Sequence, residues 1–71
     1  MAIYRQLMLC NRIRQLRVAA GLTQMDVAEQ LGVSQAAYSR LEKGDVEISV
    51  GKLLELCVIY KVMPAKLLEG L

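Results

Sequence analysis

Good helix formers run up to Leu31, stop at Gly32 and resume after Ser34 in the segment AEQLGVSQAAYSR, residues 28–40. Gly32 can adopt a positive φ without a Cβ clash, so the backbone can turn sharply there. Ser34 then offers a side-chain oxygen to the unsatisfied amides of the helix that follows. Ala28 is small where the two helices would pass closest. Two short helices joined by a turn that contains glycine have the pattern of a helix-turn-helix.

Capping residues predict where the other helices begin and end. Thr23 with Asp26 three residues later forms a capping box, and Ser49 is a further N-cap residue. Gly21 and Gly44 are suited to the left-handed conformation that ends many helices. A proline, tolerated in a first helical turn, opens the last helix. We therefore predict five helices, over residues 3–20, 24–31, 35–42, 50–60 and 64–68 or 64–69.

Apolar positions follow a helical period, and the chain has neither a strand pattern nor a repeat. In 71 residues this predicts a single all-α domain, residues 1–71. Within it, residues 1–9 extend helix 1, residues 24–43 form the helix-turn-helix, and residues 49–71 form helices 4 and 5. The positions expected on the core side are Ile3, Leu7, Cys10, Ile13, Leu16 and Ala20 in helix 1, Ala37, Tyr38 and Leu41 in helix 3, and Leu53, Leu56, Cys57 and Tyr60 in helix 4.

Helix 3 places polar and small residues on one arc of about 140°. Gln and Arg can make bidentate contacts to adenine and guanine edges in the major groove, and Ala or Ser leaves room for a thymine methyl group. Any solvated helix can present polar residues, but solubility alone would favour more Glu and Lys than this arc contains. The residues of the arc are Gln35, Ala36, Ser39, Arg40 and Lys43.

The stretch IRQLRVAAGLTQMDVAEQLGVSQAAYSRLEKG, residues 13–44, resembles the Cro/CI family of helix-turn-helix repressor domains, also called the Xre-like family. The ordered motif GLTQ…A…LGVSQ…SRLEKG carries the resemblance. The likeness continues more loosely through helix 5, over about four fifths of the chain. It implies a compact, five-helix, lambda-repressor-like domain whose third helix enters the DNA major groove, generally as a homodimer on a two-fold symmetric operator.

The resemblance also implies which residues contact DNA. Gln24 matches a phosphate-binding glutamine at the start of helix 2, where the backbone amides add the positive end of the helix dipole. Arg17 and Glu42 match an ion pair that joins helix 1 to the end of helix 3, and Arg17 is also a candidate phosphate contact. Lys43 matches a contact to the DNA backbone. The implied DNA-binding set is Arg17, Gln24, Ser34, Gln35, Ala36, Ser39, Arg40 and Lys43.

Two segments are left open by the resemblance. After Gly44 many relatives carry a basic or neutral loop with a proline, whereas this chain has DVEI at residues 45–48. Because carboxylates near phosphates weaken binding, the loop either faces away from DNA or tempers the affinity. The apolar extension over residues 1–9 joins either the core or an interface.

The apolar excess of the chain lies in helices 4 and 5. Of all residues, 55% are hydrophobic, above the usual share of about 45–50%, and a small domain cannot bury so many by itself. The residues of helix 4 and its end that lie partly off the core stripe therefore predict a two-fold dimer interface, with a merely apolar surface as the alternative. The predicted interface comprises Val58, Ile59, Val62 and Met63.

Charge and side-chain chemistry exclude several function classes. The net charge is only +2, but the amino-terminal third is basic, which suits a phosphate partner. The chain has no histidine, and Cys10 and Cys57 lack metal-ligand spacing, so we expect no enzyme, no metal site and no cofactor. Two unpaired cysteines, no secretory signal and no apolar run of about 20 residues predict a cytoplasmic protein without a membrane partner.

These observations together predict a sequence-specific DNA-binding transcriptional regulator. We expect a homodimeric repressor or autoregulator that responds to no small-molecule effector. The alternative is an antitoxin or another protein-interaction module for which DNA binding is secondary. Such a module would use an additional tail for its partner, and only residues 70 and 71 follow the predicted helix 5.

Overall fold

The computed structural model describes residues 2–71, with side chains from Tyr4 onward, and these residues form five α-helices and no strand. Met1, at the start of the predicted extension, and the side chain of Ile3 lie outside the described part. The predicted all-α, five-helix fold is confirmed, and each boundary lies within two residues of its predicted place. The helices are α1 (Ala2–Ala19), α2 (Gln24–Leu31), α3 (Gln35–Lys43), α4 (Val50–Tyr60) and α5 (Pro64–Leu67).

Hydroxyl side chains begin three of the helices as predicted. The side-chain oxygens of Thr23, Ser34 and Ser49 each accept a hydrogen bond from the backbone amide three residues later, at 3.0–3.1 Å. Asp26 completes the capping box, because its Oδ2 accepts a hydrogen bond from the Thr23 amide at 2.8 Å. Gly32 has a φ of 73°, the left-handed conformation that the break in the helix requires. The turn between α2 and α3 therefore follows from local chemistry.

The core lies between α1 and the four helices that follow it. Helix α3 packs against α1 and α2, and α4 packs against α1, α2 and α5. Half-buried apolar residues on α1, α4 and the connecting turns surround this core. The buried residues are Cys10, Ile13, Val27, Ala28, Leu31, Tyr38, Leu41, Leu56, Cys57, Tyr60 and Leu67.

Three residues expected on the core side are exposed instead. Leu7 lies in the first turns of α1, beside the loop that follows α3, and half of its surface remains accessible. Ala20 lies past the end of α1, in the turn before α2. Ala37 lies in the first turn of α3, directly before the fully buried Tyr38, but its own side chain remains exposed. A helical period alone does not reveal where a helix extends beyond its neighbours.

Long polar side chains tie helix ends and loops to neighbouring helices. Arg12 on α1 donates a hydrogen bond at 2.9 Å to the last carbonyl of α5, and Lys52 on α4 donates one at 3.1 Å to the last carbonyl of α2. Gln6 on α1 donates to two carbonyls of the loop at residues 44–46. These bonds satisfy carbonyls that have no partner within their own helix. The first turns of α1 therefore pack against the loop after α3.

Candidate nucleic-acid interface

One face of α3 presents hydrogen-bonding side chains to solvent. Gln35 and Ala36 are exposed in its first turn, Arg40 and Lys43 are exposed towards its end, and Ser39 between them is half-buried. The opposite face is anchored in the core by two buried residues of α3. The helix is therefore held firmly by one side while the other side is available to a partner.

Ser34 has a structural role at the start of this helix. Its Oγ accepts the hydrogen bond from the Ala37 amide at 3.0 Å, while its residue surface is exposed. A serine hydroxyl can donate as well as accept, so Ser34 can cap α3 and still donate its hydroxyl proton to an acceptor on a bound partner.

Glu42, near the end of α3, joins α3 to α1 and α2. Its Oε2 accepts a hydrogen bond from Arg17 Nε at 2.6 Å, and its Oε1 accepts one from Arg17 Nη2 at 3.2 Å. Gln24 Nε2, in the first turn of α2, donates to the same Oε1 at 3.2 Å. Arg17 also donates to the Leu22 carbonyl at 3.0 Å, in the turn between α1 and α2. The structure thus brings Arg17, Gln24 and Glu42 into one cluster.

The cluster keeps its charges although its carboxylate is buried. The Glu42 side chain is 4% exposed and that of Arg17 is 14% exposed. Burial raises the pKa of Glu42, but hydrogen bonding, first from Arg17 and then from Tyr38 and Gln24, outweighs that effect and holds the pKa below its usual value. The bond to Glu42 also raises the pKa of Arg17. The ion pair therefore remains charged across the range in which DNA binding is measured.

Gln24 has a partner that the sequence did not reveal. One N–H of its side-chain amide is used by Glu42, and an amide carries a second N–H that can donate elsewhere. The bond to Glu42 restricts the orientation of Gln24 at the amino-terminal end of α2. A phosphate contact from this residue would therefore come from a side chain that is already oriented.

A buried hydrogen bond fixes α3 against α4. The hydroxyls of Tyr38 on α3 and Tyr60 on α4 lie 2.7 Å apart, and both side chains are in the core. Burial, together with their shared hydrogen bond and the nearby Glu42 carboxylate, raises the pKa of Tyr38. Both residues therefore stay neutral. The sequence placed both in the core, but it offered no signal that their hydroxyls would meet.

The acidic loop after α3 is exposed. Asp45, Val46 and Glu47 are all solvent-accessible, and Gln6 holds the loop through its carbonyl at residue 46. The two carboxylates of this loop lie two and four residues after Lys43, the last residue of α3. The fold therefore places negative charge beside the carboxyl-terminal end of the candidate DNA-reading helix.

The structure divides the four residues predicted to form the dimer interface. Val58 and Met63 are 77% and 71% exposed, respectively. Ile59 and Val62 are half-buried and pack against the core. Two apolar residues that the prediction omitted, Val50 and Leu54, are also exposed on α4. Their four-residue spacing with Val58 was the available signal.

Comparison with known proteins places most of the chain in one family. The family model described as "Helix-turn-helix domain" matches residues 9–69. No solved structure matches the chain significantly. Within the described part of the chain, no helix combines the length and the apolarity needed to cross a membrane.

Two curated relatives are transcriptional regulators by name. An uncharacterized HTH-type transcriptional regulator of Bacillus subtilis, YobD, is 36% identical over 55 residues, which cover 78% of this chain and 49% of that protein. The HTH-type transcriptional regulator DdrOP3 of Deinococcus deserti is 37% identical over 62 residues, 87% of this chain and 48% of that protein. The chain spans about half the length of the curated relatives it matches.

Proposed function

Because this chain belongs to the helix-turn-helix domain family, we propose that it is a non-enzymatic transcriptional regulator that binds duplex DNA with α3 in the major groove. The observation that carries the proposal is the outward face of α3, where Gln35 and Arg40 are exposed on a helix anchored by Tyr38 and Leu41. Both relatives are transcriptional regulators by name, which is consistent with this assignment.

Base reading is assigned to the exposed face of α3. Arg40 can donate two parallel hydrogen bonds to O6 and N7 of a guanine, and Gln35 can make the corresponding bidentate contact to an adenine. Ala36 and Ser39 are small enough to admit a thymine methyl group. This combination provides both the attraction and the space that sequence recognition needs.

Phosphate contacts are assigned to the residues around this face. Gln24 lies at the positive, amino-terminal end of α2 and retains an N–H donor, so it suits a phosphate oxygen. Ser34 and Lys43 lie at the two ends of α3 and can contact the backbone on either side of the groove. Arg17 is assigned to the ion pair first and to a phosphate second, because Glu42 and a backbone carbonyl already use three of its N–H groups.

The functional unit is proposed to be a homodimer on a two-fold symmetric operator, acting as a repressor or autoregulator. Two helix-turn-helix units of a dimer contact half-sites about 34 Å apart, one helical turn, or a multiple of that distance. Exposed Val58 and Met63, with the accessible parts of Ile59 and Val62, provide apolar surface for the second copy. Neither a cofactor nor a small-molecule effector is part of the proposal.

Substitutions at Arg40 and Gln24 separate base reading from phosphate binding. The probe is a duplex enriched by the wild-type protein from a random pool, with a scrambled duplex for comparison at the same salt concentration. Arg40→Ala should weaken binding to the enriched duplex by about 1–3 kcal/mol and relax the preference at one base pair. Gln24→Ala should weaken binding to both duplexes similarly. Lys66→Ala, an exposed α5 residue paired with Glu69, is the control and should change neither affinity.

A different effect of Arg40→Ala would change which residues are assigned to base reading and which to phosphate contact. If Arg40→Ala lowers the affinity for both duplexes equally, Arg40 contacts phosphate, and base reading would rest on Gln35, Ala36 and Ser39. If neither variant changes binding, the assignment of α3 and the start of α2 to the DNA interface is wrong.

A further inference from the structure

Helix α4 exposes an apolar stripe on the side away from the core. Val50 is 72% exposed, Leu54 is 47% exposed and Val58 is 77% exposed. Residues four apart in a helix share a face, so these three side chains form one continuous strip. We call Val50, Leu54 and Val58 the α4 stripe. Soluble monomers rarely leave a contiguous apolar strip uncovered.

Opposite charges lie at the two ends of the α4 stripe. Glu47, in the acidic loop, precedes the stripe, and Lys61 follows it at the end of α4. Both are exposed, and neither forms an ion pair within residues 4–71. Lys61 has a φ of 57°, a conformation that favours glycine. The chain therefore has a lysine at a position where the backbone conformation would be less strained with glycine.

The glycine at the start of α4 is not required by the monomer. A Cβ added at Gly51 would approach only the Ser49 hydroxyl, at 3.9 Å. Glycine lowers helix stability relative to alanine, so an unneeded glycine in a helix calls for another reason. Gly51 follows Val50 on the exposed side of α4, and its missing side chain would allow a second helix to approach closely.

The order of charges along the stripe selects one arrangement of two copies. If two α4 helices pack antiparallel about a two-fold axis at Leu54, Val50 faces Val58 of the other copy, since both lie four residues from Leu54. Glu47, in the loop that precedes α4, then lies at the same end of the pair as Lys61 of the other copy, which follows the end of α4. A parallel arrangement would place Glu47 against Glu47 and Lys61 against Lys61. Like charges in contact are unfavourable, so only the antiparallel arrangement is self-complementary.

We propose that the α4 stripe is the seam of the homodimer, with two α4 helices antiparallel and Glu47 paired with Lys61 of the second copy at both ends. This inference rests on the proposed homodimeric function and deepens it. It shifts the centre of the interface from Val58–Met63 to Leu54. It also gives the acidic loop a role that does not involve DNA, because Glu47 contributes to the dimer.

A charged substitution on the stripe tests the seam. Sedimentation equilibrium of the whole chain should show a dimer for the wild-type protein, and Val58→Asp should raise its dissociation constant by about a hundredfold or more, because the dimer would bury an unpaired charge. The matched control is Val18→Asp, also near the end of a helix and 61% exposed, but on α1. Val18→Asp should leave the dissociation constant unchanged, and circular dichroism should show both variants folded.

Charge reversal tests the antiparallel register. Glu47→Lys and Lys61→Glu should each weaken self-association by about tenfold, because each places like charges together at both ends of the seam. An equimolar mixture of the two variants should form a heterodimer of wild-type affinity, because one copy then carries only Glu and the other only Lys at these positions. Mixing leaves the stability of each monomer unchanged, so recovery reports on the interface alone.

The outcomes separate this inference from the proposed function. A wild-type monomer at tens of micromolar would overturn both the homodimer and the seam. A wild-type dimer that tolerates Val58→Asp, or charge variants whose mixture does not recover, would overturn the seam and leave the homodimer standing. Sensitivity to Val58→Asp together with recovery in the mixture would establish it.

Discussion

Replacing Glu42 by alanine should destabilise the fold more than is usual for a substitution near the end of a short helix. Removing one partner of a buried ion pair costs about 3–5 kcal/mol, because the other charge is left unpaired. Arg17, however, is 14% exposed and would keep its hydrogen bond to the Leu22 carbonyl. We therefore expect a value below that range, about 2–3 kcal/mol, which includes the lost bond from Gln24.

Denaturation in urea, followed by circular dichroism, measures this change as a shift in midpoint at constant slope. The control is Glu55→Ala, which removes the exposed ion pair with Lys52 on α4, a pair that spans 3.4 Å with side chains 37% and 52% exposed. A surface pair contributes about 0–1 kcal/mol, so Glu55→Ala should shift the midpoint much less.

The double variant Arg17→Met, Glu42→Leu should be more stable than the sum of the two single changes predicts, because it leaves no charge unpaired. Equal midpoint shifts for Glu42→Ala and Glu55→Ala would refute the reasoning. The pair would then be no more than a surface contact, and it would not hold α3 against α1.

Three further changes test the supports of α3. Because the folded pKa of Glu42 is depressed, its contribution to stability is complete above the usual glutamate value of 4.5 and is lost as the pH falls through the folded pKa. The free energy of unfolding of the wild-type protein should therefore decrease more between pH 5 and pH 3 than that of Glu42→Gln. Parallel decreases for the two proteins would argue against this role of Glu42. Ser34→Ala should lower the free energy of unfolding, measured by thermal denaturation, by about 1 kcal/mol through loss of the N-cap hydrogen bond. Ser34→Asp can still accept that hydrogen bond and should lower the free energy of unfolding less. Tyr38→Phe leaves the Tyr60 hydroxyl buried without its partner and should lower the free energy of unfolding by about 1–3 kcal/mol. Adding Tyr60→Phe should lower it little further. Additive losses for the two substitutions, measured by denaturation, would contradict a shared hydrogen bond.

The helix starts were predictable because each depends on a few neighbouring residues. Thr23, Ser34 and Ser49 satisfy amides only three residues away, so the signal is complete within a short window. Gly32 likewise adopts the left-handed conformation that its place in the sequence demanded. These local rules predicted the helix-turn-helix and the polar face of α3 from the residues themselves.

The features that the sequence-based predictions missed depend on contacts between residues distant in the chain. Ala37 lies on the predicted core side of α3 and directly precedes the fully buried Tyr38, yet it is exposed, and the helical period contains no information about how far the neighbouring helices reach. The bond between Gln24 and Glu42 joins residues 18 apart in the chain, and the Tyr38–Tyr60 bond joins residues 22 apart. Spacing does not reveal such meetings, because they depend on how the helices cross.

The ratio of the affinities of the wild-type protein for the enriched duplex and for its scrambled counterpart, at one salt concentration, tests the central claim most directly. If α3 reads base edges, the protein should enrich a sequence and bind it about a thousandfold or more tightly than the scrambled duplex, the lower end for specific DNA-binding proteins. Equal affinity for the two duplexes would contradict the claim. It would leave a domain that contacts phosphates only and favour the alternative of a protein-interaction module.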